Sequence, residues 1–445
     1  MSEAGLGLGV FRRRLTGFDP LTVQGRISRF VGNMVESQGP PAEVGEVCLL
    51  KSCSGNSIAA EVVGFREQNL LLMPLGSLEG IAAGSEVVAT GKPLTVAVSP
   101  ELQGRVLDGL GNPLDGDPLP RAQHYYPLKA APPHPLKRRR IREPLELGIK
   151  VVDGLLTCGK GQRMGIFAGS GVGKSTILGM MARHAAADIN VVALIGERGR
   201  EVREFIEESL GSEGLARSVV VVATADQPPL IRVKAALVAM SIAEYFRDLG
   251  NDVLLMMDSI TRFAMAQREI GLAAGEPPTA KGYTPSVFSL LPQLLERAGN
   301  AERGSITGLF TVLVDGDDMQ DPIADAARSI LDGHIVLDRS LASRNHYPAV
   351  DVLASVSRVM TEIVPLAHME LAQQVREILA VYREAEDLIN VGAYVPGSNE
   401  AIDRAREFIS PVREFLRQSV NESFPLKETQ LLLARALGKT GEDLL

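Results

Sequence analysis

Tryptophan is absent from the 445 residues, and aromatic residues make up only 4% of them. Stacking of successive bases on aromatic rings, the usual device of a single-strand nucleic-acid binder, is therefore not a theme of this chain. Cysteine is scarce as well. Cys48, Cys53 and Cys158 have no histidine or second cysteine pair at a zinc-site spacing, which leaves core or surface thiols and suits a reducing compartment. No apolar run approaches the roughly 20 residues that span a bilayer, and nothing apolar follows Arg12, Arg13 and Arg14 to make a signal peptide. A cytoplasmic protein is expected, reaching a membrane only through a partner or a surface. Nor is there an excess of positive charge: 46 Lys and Arg stand against 54 Asp and Glu, a net charge of -8. That balance offers no blanket attraction to nucleic acid.

What is present is an apolar fraction of 45%, enough for two or three domains with cores of their own. Residues 1–21 are rich in glycine and arginine. Leu8, Val10, Phe11 and Leu15 fit a short amphipathic arm, and a frayed terminus fits equally. Residues 22–93 consist of short β-branched runs broken by glycine, such as Glu46 to Leu50 and Asn69 to Met73, and predict a small closed β-barrel. Residues 94–375 open with turn-rich sequence from Gly104 to Gly116. Prolines at 118, 120, 127, 132, 133, 135 and 144 then exclude a long helix or a central strand. The basic run Lys137 to Arg140, with Arg142, reads as solvated charge or intersubunit pairing rather than a nucleic-acid contact. From about 145 onward, apolar strands alternate with helices, the pattern of a mostly parallel sheet covered on both faces. Functional groups are expected where strand C-termini meet loops. Residues 376–445 are mainly helical, and Pro411 is expected to kink or divide a helix running from Ala401 to Gln418.

The strongest local signal is Ala168-Gly169-Ser170-Gly171-Val172-Gly173-Lys174-Ser175, which follows a strand and opens a helix. Its glycines let amide hydrogens converge on phosphate; Lys174 supplies charge to the β- and γ-phosphates, and Ser175 offers a hydroxyl to magnesium. Ala168 stands where the motif usually begins with glycine. Asp258 ends the apolar run Val253 to Met257 and is the natural magnesium-holding carboxylate. Glu197 follows another apolar strand and can polarise the attacking water, with Glu201 and Glu204 as competitors. Arg198 is a candidate to secure that loop or the phosphate side.

These stretches resemble the rotary and secretion ATPase family over residues 22 to 445, and within it the flagellar protein-export branch, whose near relatives drive virulence type III secretion. The resemblance rests on Gly165 to Thr176, Gly196 to Phe205, Met257 to Glu269, Gly275 to Pro285, Asp317 to Pro322 and Asp332 to Val336. It implies a multidomain α/β fold: an N-terminal β-barrel, a central RecA-like P-loop ATPase domain and a C-terminal helical domain. Residues 168 to 176 would bind nucleotide, with Mg2+ and ATP as cofactor and substrate. Glu197 takes the water-activating role, and Arg262 belongs to the motif after Asp258. Tyr347 matches the aromatic beside adenine, and Arg358 matches an arginine finger supplied by a neighbour. A homohexamer is implied, together with a stator-like partner on the N-terminal arm, a central stalk protein, an export gate and chaperone-substrate complexes. Peripheral membrane association would come through that apparatus, and no specific nucleic acid is expected. A rotary ATP synthase catalytic subunit, a hexameric RNA translocase and an inactive nucleotide-binding scaffold are the rival readings.

Overall fold

The computed structural model describes residues 23–52, 55–314, 316, 318 and 320–439. The proposed N-terminal arm lies outside them, as do Cys53, Asp317 and Met319. The chain divides at Leu94 into two compact units.

The first is a closed six-stranded barrel. Its strands are β1 (Gln24–Val31), β2 (Met34–Gln38), β3 (Glu46–Lys51), β4 (Ser57–Arg66), β5 (Asn69–Pro74) and β6 (Glu86–Pro93), ordered β1-β2-β5-β4-β3-β6. Pairing of β6 with β1 removes the free edges. Ile27, Val35, Leu50, Val62, Leu72 and Val87 fill the interior. Buried Cys48 joins them as a free thiol.

The second unit begins with β7 (Thr95–Val98), β8 (Val106–Asp108) and β9 (His124–Pro127), then the small pair β10 (Pro144–Leu145) and β11 (Cys158–Gly159). The main strands follow: β12 (Arg163–Ala168), β13 (Ile189–Ile195), β14 (Ser218–Ala223), β15 (Asp252–Asp258), β16 (Gly299–Asn300), β17 (Ser305–Leu313), β18 (Gly333–Leu337) and β19 (Val356–Ser357). They form a nine-stranded sheet in the order β19-β18-β12-β17-β15-β13-β14-β8, with β16 beside β17. Only β16 and β19 run antiparallel in it. Every residue of β13 and β14 is buried, which is why both read as unbroken apolar runs. Strand β8, inside the turn-rich stretch, completes the sheet edge by pairing with β14.

Two expectations need correcting. Arg138 donates to the carbonyls of Glu296 and Ala298, and Arg139 to those of Ala301 and Gly304. These arginines of the basic run tether the proline-rich connection to its own unit instead of standing free. Second, of the kink or division expected at Pro411, the division does not occur: the helix Glu400–Leu416 runs through it. Pro411 and Glu407, whose carbonyl it deprives of a donor, both lie on the exposed face, while Ala405, Ile409, Val412, Phe415 and Leu416 are buried. Water can serve the freed carbonyl, and packing of the apolar stripe keeps the helix in one piece.

Candidate active site

Three strands that are near neighbours in the sheet deliver their C-terminal ends to one place. From β12 the chain enters the loop Ala168–Gly173, in which Gly171 and Gly173 have φ of 77° and 94°. Side chains are strained in that region, so glycine is the residue that lets the loop curl. Gly173 caps the helix Lys174–His184, a helix long enough for its first-turn amides to form an anion-binding end. Ser170 and Ser175 stand at the loop's outer surface with Thr176, while Ala168, Gly169 and Val172 are buried beneath it.

Lys174, the first residue of that helix, reaches two carboxylates. Its Nζ lies 2.5 Å from Asp258 Oδ1, at the end of β15, and 3.5 Å from Glu197 Oε1, just past β13. Thr311 of β17, between β12 and β15, donates a hydrogen bond of 2.7 Å to the same Asp258 oxygen. Burial works against the charge on Lys174, but Asp258 and Glu197 outweigh it and raise the lysine's pKa. Burial also acts on Glu197. Despite the pull of Lys174, burial together with the charge on Asp258 and a hydrogen bond shared with Glu201 pushes this carboxyl up to about 7. Glu197 Oε1 is buried and, beyond the 3.5 Å ion pair with Lys174, has no hydrogen-bond partner among the described residues. The cluster thus combines a held ammonium, a fixed carboxylate and a carboxyl pushed up to about 7. Ser175, Asp258 and Glu197 present the hard oxygen donors that suit Mg2+.

The remaining predicted residues divide between near and far. Arg262 packs against the Glu197 turn: Gly196 has φ of 70°, and a Cβ there would meet Arg262 Cβ at 3.0 Å. Among the described residues, Arg262 Nε is buried without a partner. Arg198 turns outward and pairs with Glu201 at 3.4 Å. Tyr347 borders the loop, since a Cβ at Gly173 would stand 3.6 Å from its ring. A cavity of about 220 Å³ lies there, walled by Val172, Thr176, Tyr347, Gln418, Ser419 and Val420. Gln418 N donates to Tyr347 O at 3.0 Å, and Arg183, near the end of the loop's helix, donates to Val420 O at 2.8 Å. The 418–420 wall and Thr311 escaped the sequence reading. Thr311 is one polar residue in a buried strand, and the wall lies some 245 residues from the loop it faces.

Arg358 lies elsewhere. It follows β19, whose Ser357 pairs with Gly333 at the start of β18, whereas Ala168 pairs with Leu337 at the end of β18. Four residues of strand, roughly 13 Å, separate those levels, so Arg358 is at the opposite end of the strands from its own Lys174, although β19 is only two places from β12 in the sheet. Its side chain is exposed and, among the described residues, makes one hydrogen bond of 3.4 Å, to Arg328 O.

Comparison with known proteins identifies the family. Residues 27–91 match the ATP synthase alpha/beta family β-barrel domain, 148–357 its nucleotide-binding domain, and 364–435 the T3SS EscN ATPase C-terminal domain. The chain is 57% identical to the flagellum-specific ATP synthase of Bacillus subtilis, over 93% of this chain and 95% of that protein. It is 53% identical to the type 3 secretion system ATPase of Xanthomonas euvesicatoria, over 92% and 93% respectively. The assembled ATPase EscN of the enteropathogenic E. coli type III secretion system superposes with a TM-score of 0.89 at 45% identity, covering 93% of this chain and all of that one. A further structure holds EscN in complex with its central stalk EscO, at a TM-score of 0.86. The chain belongs to the ATP synthase alpha/beta family, in the branch that contains the flagellum-specific ATP synthases and the type 3 secretion system ATPases, and is an ATPase.

Proposed function

We propose that this ATPase works as a homo-oligomeric ring, a hexamer, in which Lys174, Glu197 and Asp258 of one subunit and Arg358 of its neighbour complete each site, and that hydrolysis drives export of flagellar proteins through a type III apparatus. The observation that carries the catalytic part is the convergence of Lys174, Asp258 and Glu197 beside the glycine loop. In this reading the loop amides of residues 168 to 176 and Lys174 take the β- and γ-phosphates, and the base stacks on Tyr347 in the cavity walled by residues 418–420. Mg2+, when bound, would be held by Ser175 and Asp258 and would neutralise charge on the phosphates. Glu197 holds the attacking water and takes its proton. Arg262, behind the Glu197 turn, and Arg198, at the start of the next helix, fix that turn in place. Arg358 of the adjacent copy stabilises charge developing on the transferred phosphoryl group.

The export role is supported by relatives named for flagella and for secretion, and the 57% identity to a flagellum-specific protein favours the flagellar branch. By the same analogy with EscN and EscO, a central stalk protein is the expected partner of the ring. The stator-like partner would meet residues 1–21. An export gate and chaperone-substrate complexes would meet the helical domain and bring the ring to the membrane, since among the described residues no helix is long and apolar enough to cross one. Hydrolysis of Mg-ATP per subunit, measured over a wide range of protein concentration beside the mass of the assembly, tests the shared site. Specific activity should rise as subunits associate. A monomer as active per subunit as the assembly would end the shared-site reading.

A further inference from the structure

Arg376 is half-buried on the helix Leu366–Asn390. Its guanidinium donates to Val352 O at 2.7 Å and, through both terminal nitrogens, to Ser355 O at 3.2 Å. The same group reaches Leu155 O at 3.2 Å. Every one of these bonds goes to a main-chain carbonyl. A fork of five donors crosslinking three carbonyls fixes the course of the backbone rather than the place of another side chain.

The backbone so held is the approach to Arg358. Ser355 is buried; it donates to Asp351 O and accepts from Val336 N, which ties the segment to β18. Asp351 Oδ1 accepts from the amides of Leu353 and Ala354. Arg383, on the same helix as Arg376, adds an ion pair of 3.0 Å to that oxygen. Among the described residues, Arg358 itself contributes only its amide bond to Asp332 O and the weak contact to Arg328 O. Its direction is therefore set by the segment before it, and that segment is held from the helix Leu366–Asn390.

We propose that Arg376 is a positioning residue: by crosslinking the backbone that leads into β19, it sets the reach of Arg358 toward the neighbouring subunit's site. The inference rests on the reading that Arg358 acts in the adjacent site. It ties the helix Leu366–Asn390 to turnover one subunit away.

The test uses the full-length protein with Arg376→Gln and the milder Arg376→Lys, beside Arg358→Ala as reference. Arg376→Gln should lower kcat on the order of 10²-fold, as a small misplacement of a catalytic group does. KM for ATP should stay within about twofold, because the variant's own nucleotide pocket is intact. Arg376→Lys should recover part of the loss, since an ammonium can serve some of the carbonyls but not as a fork. Mixing is the decisive readout. Arg376→Gln subunits mixed with Glu197→Gln subunits should regain activity, because the second supplies a well-held Arg358 to the first. If Arg358→Ala subunits regain activity in such a mixture and Arg376→Gln subunits do not, the Arg376 defect lies in its own site and the inference fails alone. If neither mixture regains activity, the reading of Arg358 in the adjacent site fails and takes the inference with it. Full kcat in Arg376→Gln, or loss of folding in both Arg376 variants, also overturns it.

Discussion

The two ends of the central sheet are built on opposite principles. At the C-terminal ends of β12, β13 and β15, the chain satisfies its own charges: the Lys174 side chain is 11% exposed and that of Asp258 4%, and they hold each other at 2.5 Å. At the β19 end, Arg358 is exposed, with a single weak side-chain contact among the described residues. A buried lysine demands a carboxylate, because removing an unpaired charge from water is costly. An exposed arginine incurs no such cost and stays available to a partner. In the proposed ring, one end would be a half-site and the other would supply its missing half.

The largest effect that would sharpen this comparison is the loss of Arg358. Arg358→Ala should lower kcat by about 10³-fold or more, the range of an arginine finger, with nucleotide binding retained. Near-normal turnover would mean that the exposed end takes no part in chemistry. At the buried end, Glu197→Gln should cost about 10²- to 10⁴-fold in kcat, the usual contribution of a general base. The pH profile carries the same information in finer form. The carboxylate is the form that accepts a proton, and the carboxyl is pushed up to about 7. The kcat/KM should therefore climb as pH rises through about 7 and level off above it. A profile flat across that range would remove Glu197 from the role. Tyr347→Ala should raise KM for ATP by roughly tenfold, the worth of one stacked base, while leaving kcat largely unchanged. A kcat loss without a KM change would take Tyr347 out of the base pocket. The smallest effect belongs to Thr311→Val, which removes the hydroxyl that donates to Asp258 Oδ1 beside Lys174. Unfolding of the nucleotide-free protein should become easier by about 1.5 kcal/mol, the lower end for a bond to a charged group, as read from denaturant midpoints.

Legibility followed from how local each cause is. The glycine loop, Glu197 and Asp258 stand out because each ends a run of buried residues, and a polar residue at that point has to be explained. Tyr347 and Arg358 carry no such mark; each became visible only through resemblance to a family. Thr311 sits within β17, where a single threonine is ordinary in a buried strand, and its meaning depends on the neighbour that Asp258 becomes after the sheet assembles. Arg138 and Arg139 looked like free charge because the carbonyls they serve lie some 160 residues further along the chain. Pro411 looked like a break because its effect on a helix depends on which face meets water.

By itself, the sequence determined the alternation of strands and helices, the phosphate loop and the two carboxylates, because hydrophobic period, glycine and strand-end polarity act within a few residues. The tertiary structure alone decided that Lys174, Asp258 and Glu197 meet, that residues 418–420 wall the cavity beside Tyr347, and that Arg358 stands at the other end of the strands from Lys174. Those facts depend on strand order and on which end of the strands each loop occupies, and strand order is set by packing across the whole domain rather than by any short stretch of chain.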